Sequence, residues 1–152
     1  MSRTYELVQV STAEQWQAVH DLRQAELFVR HPGIVYDPAH PDDRAPMHFL
    51  FLLQLDGRAM GTARLDLDEP GRAILRLVAI AKTDQRKGHG WVLQRRVEDF
   101  ARSRNVIDLF VNAAPSAVGF YERMGFIRED WDDPNGARKG VADDCVPMRK
   151  RL

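Results

Sequence analysis

A single cysteine, Cys145, excludes an internal disulfide and fits a reducing compartment. An excess of one charge is also missing, since 22 Lys and Arg balance 22 Asp and Glu for a formal net charge of zero. A dedicated nucleic-acid binder carries a basic excess, so that class is not expected. Only a local patch of Arg23, Arg30, Arg44, Arg138 and Lys139 would escape the total. No stretch approaches the ~20 consecutive apolar residues that span a bilayer. Met1-Ser2-Arg3-Thr4-Tyr5-Glu6 lacks the apolar centre of a secretory signal. The expectation is a cytoplasmic protein with no membrane segment. There is no internal repeat, low-complexity run or linker-like composition, so one domain is expected over 1–152. With 44% hydrophobic residues, the 152-residue chain can bury a sizeable core.

Hydrophobic periodicity supplies the elements. Tyr5 to Val10 alternates as a first strand. Ser11-Thr12-Ala13-Glu14 has the form of a capping box, and Trp16, Val19, Leu22 and Ala25 recur at helical spacing. That helix is expected to reach Leu27 or Val29 before Pro32-Gly33 stops it. Ile34 to Met47, with Pro38, Pro41 and Pro46, is a long loop, of the kind that is either functional or simply solvated. His48–Leu55, Met60–Leu67 and Ala73–Ala81 are strands, separated by the turn signals Asp56-Gly57 and Asp68-Glu69-Pro70-Gly71, and should form an antiparallel meander. A helix from Gly90 to Ser103 then leads to a strand at Val106–Asn112. Strand, crossover helix and strand predict a parallel pair. A short helix at Pro115–Arg123, a strand from Gly125, a polar loop from Trp131 to Asp144 and a last strand from Cys145 to Arg151 complete an α/β chain with a mixed sheet.

The junction after the third meander strand carries the first chemical signal. Lys82-Thr83-Asp84-Gln85-Arg86-Lys87-Gly88-His89-Gly90-Trp91 is a polar, glycine-bearing loop between a buried strand and an amphipathic helix. Unpaired N–H groups and the positive end of the helix dipole meet there, and Arg86 and Lys87 add full charges, so the junction suits an anion. The P-loop pattern is absent. The dinucleotide pattern Gly-x-Gly-x-x-Gly fails because Leu93 occupies its third glycine position. The glycines also satisfy ordinary turn chemistry.

The second signal is Ala117, Phe120-Tyr121 and Gly125-Phe126. Together, Gln85-Arg86-Lys87-Gly88-His89-Gly90 and this run resemble the Gln/Arg-x-x-Gly-x-Gly/Ala and Ala-x-x-Phe-Tyr-x-x-x-Gly-Phe motifs of the GNAT superfamily of N-acetyltransferases. The order of elements is similar from about Tyr5 to Leu152. The resemblance implies a central, mostly antiparallel twisted sheet with helices on both faces. In it the parallel strands Ala73–Ala81 and Val106–Asn112 splay apart midway. It implies acetyl-coenzyme A as co-substrate and no metal. The pantetheine arm would lie in the splay at Ile80, and the pyrophosphate on Gln85, Arg86, Lys87, Gly88, His89 and Gly90. Asn112 and Ser116 would give further coenzyme contacts. For Asn112 the alternative is a strand-end polar residue, and for Ser116 a helix cap.

By the same resemblance Tyr121 would be the general acid for acetyl transfer to an amine of a small molecule or peptide. The alternative is an ordinary core tyrosine. The glutamate that some members carry on the central strand falls at Ile74, which cannot take a proton. The amine is then deprotonated through waters or by another group, for which His48, Asp66, Glu26 and Asp144 are the candidates. His89 is expected to face solvent or phosphate, Trp91 to pack, and Trp131 either to wall the acceptor pocket or to anchor its loop. The acidic tracts at Asp42-Asp43, Asp66–Glu69, Asp130–Asp133 and Asp143-Asp144 would favour a cationic acceptor if several line the cleft. Members of the family often form homodimers. Other readings of the same residues are a coenzyme-binding module without catalysis, and transfer of a longer acyl group.

Overall fold

The computed structural model describes residues 4–82, 88–134 and 144–152. Its elements are β1 (Tyr5–Gln9), α1 (Ala13–Glu26), β2 (His48–Leu55), β3 (Arg58–Glu69), β4 (Arg72–Ile80), α2 (His89–Ser103), β5 (Asp108–Ala113), α3 (Val118–Arg123), β6 (Ile127–Arg128) and β7 (Val146–Arg151). Short 3₁₀ turns stand at Phe28–Arg30, Pro41–Arg44 and Pro115–Ala117.

The near-continuous apolar run of β2 places it inside the molecule. Leu50 and Leu52 point to one face, where Val19 and Leu22 of α1 cover them. Phe51, Leu53 and Leu55 point to the other, into a larger core with Leu93, Val97 and Ala101 of α2 and with Val118 and Tyr121 of α3. Helices therefore lie on both faces of one seven-stranded sheet of order β1-β2-β3-β4-β5-β7-β6. All neighbours are antiparallel except β4 and β5. The expected mixed sheet and meander are observed. Among the described residues no helix is long and apolar enough to cross a membrane.

Several boundaries move. The N-cap of α1 is Thr12, with Gln15 completing the capping box, so the box lies one residue later than Ser11–Glu14. Ser11 cannot close that box because its own N–H already bonds Gln15 Oε1. α1 ends at Glu26, where the chain tightens into the 3₁₀ turn Phe28–Arg30 ahead of Pro32. β5 starts at Asp108 rather than Val106. Asn105 turns with φ 64°, and the Ile107 and Asp108 N–H groups bond the Gly71 carbonyl.

The parallel seam is short. Pairing runs from Arg72–Asp108 to Leu75–Val111 and stops. Beyond it β4 continues against β3 through a bulge, in which Thr62 faces Ala79 and Arg64 faces Arg76. Leu77 there takes φ 50°, an uncommon left-handed conformation for a branched residue. A bulge bends its strand and increases the local twist, which turns the end of β4 away from β5 and opens the sheet.

Candidate active site

The opened seam leads into a cavity of about 440 Å³. Leu75, Arg76, Leu77 and Val78 of β4 form one wall, and Val111, Asn112 and Ala113 of β5 the other. Tyr121 and Cys145 close the cavity near the splay, while Arg23, Glu26, Leu27 and Phe28 with residues 30–43 close the far side. Past Leu75 and Val111 the two strands no longer pair, so backbone groups along this edge can receive the amides of an extended ligand.

At the α2 start, Gly88 is the N-cap with φ 87° and offers no side-chain cap. A side chain at that φ is strained, and the first N–H groups of α2 have no intrahelical acceptor. A Cβ on Gly90 would stand 3.4 Å from the Phe120 ring, an ordinary van der Waals distance. Gly88 alone of the two thus has a geometric reason. Gln85, Arg86 and Lys87 lie outside the described residues. The expectation for the His89 side chain is corrected. It is 1% exposed, with Nδ1 2.7 Å from Tyr5 Oη, leaving its backbone and not its ring at the helix start. The ring is held there because it fills the space between α2 and β1. Trp91, expected to pack, is 42% exposed on the outer side of α2.

The Ile80 side chain packs against Gly61 and Gly90, and the residue is not among those lining the cavity. Asn112 lines the cavity, but its Nδ2 donates to Asp133 Oδ2 at 3.1 Å. Ser116 is exposed and caps neither the Pro115–Ala117 turn nor α3, whose N-caps are Ala114 and Ala117. Tyr121 is 4% exposed, edge-on to Phe120 and Phe126, and reaches the cavity. Burial pushes its phenol well above the ordinary value, so it stays protonated across the physiological range.

On the α1 face of the sheet lies a buried chain of charges. Arg23 grips Asp43 through two bonds of 2.8 and 3.0 Å. Arg64 bonds the same carboxylate at 3.0 Å and clasps Asp66 at 2.7 and 3.0 Å. Arg76 holds Asp133 at 2.7 and 2.6 Å. Burial works against the charge on Asp43, but Arg23 and Arg64 outweigh it and hold the carboxyl below its ordinary value. Asp43, Asp66 and Asp133 are thereby neutralised by arginines, so the expected acidic focusing of a cationic acceptor finds no support in them. Asp143 lies outside the described residues.

Of the candidate bases, Glu26 lines the cavity, and its Oε2 accepts the Lys82 N–H. His48 bonds the Asp42 carbonyl at 2.6 Å, outside the cavity wall. Trp131 is a loop anchor. Its Nε1 donates to the Val111 carbonyl at 3.3 Å and its ring packs on Phe110.

A family model for the acetyltransferase (GNAT) domain matches residues 37–152. The chain belongs to the GNAT family. Solved structures of low identity share the fold. A chain from Lactobacillus plantarum is 22% identical, covering 97% of this chain and 98% of that one, with TM-score 0.76. The ribosomal-protein-S18-alanine N-acetyltransferase from Escherichia coli is 16% identical over 98% of this chain and 94% of that one, with TM-score 0.75. The paia N-acetyltransferase from Thermoplasma acidophilum, solved in complex with coenzyme A, is 13% identical over 98% and 99%, with TM-score 0.73. No curated protein matches the sequence.

Sequence reasoning missed Tyr36, Arg64 and Arg76, took Asp133 only as part of an acidic tract, and used Arg23 only as part of a basic patch. One signal was present. Arg23 and Glu26 fall at stripe positions with Trp16 and Val19, where charge is buried only with a partner.

Proposed function

We propose that this GNAT domain transfers the acetyl group of acetyl-coenzyme A to a primary amine of a small molecule or peptide, by direct attack on the thioester. The observation that carries the reading is one cavity shared by the open seam, the Tyr121 hydroxyl end of α3 and the wall of residues 30–43. An extended pantetheine arm fits the edge of β4 past Leu75, with the pyrophosphate at the start of α2. The amine nitrogen then bonds the carbonyl carbon, the tetrahedral intermediate collapses, and the carbon–sulfur bond breaks. Tyr121 donates its proton to the departing sulfur. Its raised pKa suits a hydrogen-bonding acid, since the low-dielectric surroundings that disfavour the phenolate also disfavour the thiolate. Leu27, Phe28, Ile34 and Val35 on the cavity wall favour an acceptor with an apolar body.

The test is calorimetric binding of acetyl-coenzyme A beside a thiol-release assay with phenethylamine, spermidine and a peptide bearing a free N-terminus. Binding with release on one amine supports the transferase. Binding without release on any of them favours the non-catalytic coenzyme module. No binding overturns the reading of Gly88 to Gly90. Tyr121→Phe is expected to cut kcat by about 10²-fold while leaving coenzyme affinity within about twofold. Unchanged turnover would remove Tyr121 from the mechanism.

A further inference from the structure

The acceptor wall carries a proton path that no candidate base in the sequence suggested. Tyr36 projects from the loop between α1 and β2 and lines the cavity. Its hydroxyl lies 2.5 Å from His20 Nδ1 and 3.4 Å from Arg23 Nη1. Arg23 can only donate to the oxygen, which leaves the phenol O–H free to donate to His20 Nδ1 when the ring carries its proton on Nε2. Arg23 is itself fixed by two bonds to Asp43, and the Tyr36 ring is braced edge-on against Phe28.

We infer that Tyr36 and His20 take the proton released when the acceptor amine attacks the thioester. This rests on the transferase reading above. As the C–N bond forms, the nitrogen gives a proton to Tyr36 Oη, and Tyr36 Oη gives its own to His20 Nδ1. The C–S bond breaks, the sulfur takes the Tyr121 proton, and the Tyr121 phenolate regains a proton from water in the cavity before the next turnover. The imidazolium formed on His20 lies beside Arg23, and its half-buried ring returns the proton to water. The ring also packs on Trp16 and is faced by Asp21 and Arg23 from α1 and by Asp43 and Arg44 from the Pro41–Arg44 turn. Burial first, and then Arg23, hold His20 below its ordinary value, so at neutral pH it is unprotonated and ready to accept. Burial raises Tyr36, which keeps the phenol protonated between turnovers. Glu26, the candidate base that lines this wall, is already tied to the Lys82 N–H.

Two measurements test the dyad. Imidazole ¹⁵N NMR of the full chain should show His20 protonated on Nε2 alone and titrating below 6.5. An Nδ1–H tautomer overturns the proposal whether or not an acceptor is known. The second is kcat against pH for the wild type, Tyr36→Phe, His20→Gln and Glu26→Gln, using saturating amounts of the best amine of the three above. Tyr36→Phe keeps the ring packing on Phe28, and thermal melts check that each variant is folded. Loss of about 10²-fold in kcat for Tyr36→Phe and His20→Gln is expected, with acetyl-coenzyme A affinity unchanged. The acid limb of the wild-type profile should vanish in His20→Gln. Variants within about threefold of wild type, or an acid limb that vanishes in Glu26→Gln instead, refute it. A wild type that fails to bind acetyl-coenzyme A speaks against the transferase reading and leaves the NMR result to judge the dyad.

Discussion

Gly61→Ala tests the packing that supports the open edge of β4. The added methyl would stand 2.5 Å from Ile80 Cδ1, 2.9 Å from the Ala79 carbonyl oxygen and 3.4 Å from Leu93 Cδ2. The Ile80 methyl can swing aside, but the carbonyl belongs to backbone paired between Thr62 and Ala79 and cannot. Overpacking a filled core costs roughly 1–3 kcal/mol. For a domain of this length each kcal/mol lowers Tm by about 2–4 °C, so a fall of roughly 2–12 °C is expected. The four-protein cycle with Ile80→Val divides the clash. Valine lacks Cδ1, so the double variant should recover part of the loss relative to the sum of the singles, with a coupling of about 0.5 kcal/mol or more. What remains belongs to the Ala79 carbonyl. Because relief must come from β4 shifting at residues 79–80, acetyl-coenzyme A should also bind more weakly to Gly61→Ala. A melting temperature within about 1 °C of wild type would refute the reasoning, since it would mean that the sheet opens there without resistance.

Asp43→Ala leaves Arg23 buried without its carboxylate partner and should cost about 3–5 kcal/mol in urea denaturation at neutral pH. The Asp43 carboxyl has a folded pKa below its unfolded value, so its contribution is complete above about pH 4 and fades as pH falls through the lowered value. The stability gap between wild type and Asp43→Asn should therefore narrow below about pH 4, and a gap that stays constant down to pH 2 contradicts this. Gly88→Ala forces a side chain into φ 87° and should cost about 1–2 kcal/mol in thermal melts while weakening coenzyme binding in calorimetry. Full affinity with full stability would show that the left-handed N-cap is not needed.

The parts of the site that sequence made legible are those whose chemistry is local. Gly88 and Gly90 announce a special turn because they neighbour it, and Tyr121 stands out because Phe120, Gly125 and Phe126 are close to it in the chain. The meander was legible for the same reason, since Asp56 and Gly57 take φ 49° and 83° and fix the hairpin by themselves. The cavity wall on the α1 face is made by register instead. Leu50 faces Arg64 and Arg64 faces Arg76, which puts both arginines on the α1 face, and no local pattern reports that pairing. Arg64 finds Asp43 across 21 positions, and Arg76 finds Asp133 across 57. The pairing of Asp43 and Asp133 is hidden because their partners are remote, whereas Asp66 has Arg64 two positions away. His89 looked exposed because its loop neighbours are polar, while Tyr5, its partner, is 84 positions away.

The short parallel seam has a mechanical consequence. Among the described residues, four residue pairs, from Arg72–Asp108 to Leu75–Val111, form the strand pairing between the β1–β4 half of the sheet and the β5–β7–β6 half. A ligand threaded into the gap beyond them would lengthen that ladder and act as a removable rung. Binding should then slow amide exchange on both halves together, and release should loosen them together. In such a molecule the co-substrate is also a piece of the scaffold, and each turnover dismantles and rebuilds the joint on which the two halves turn.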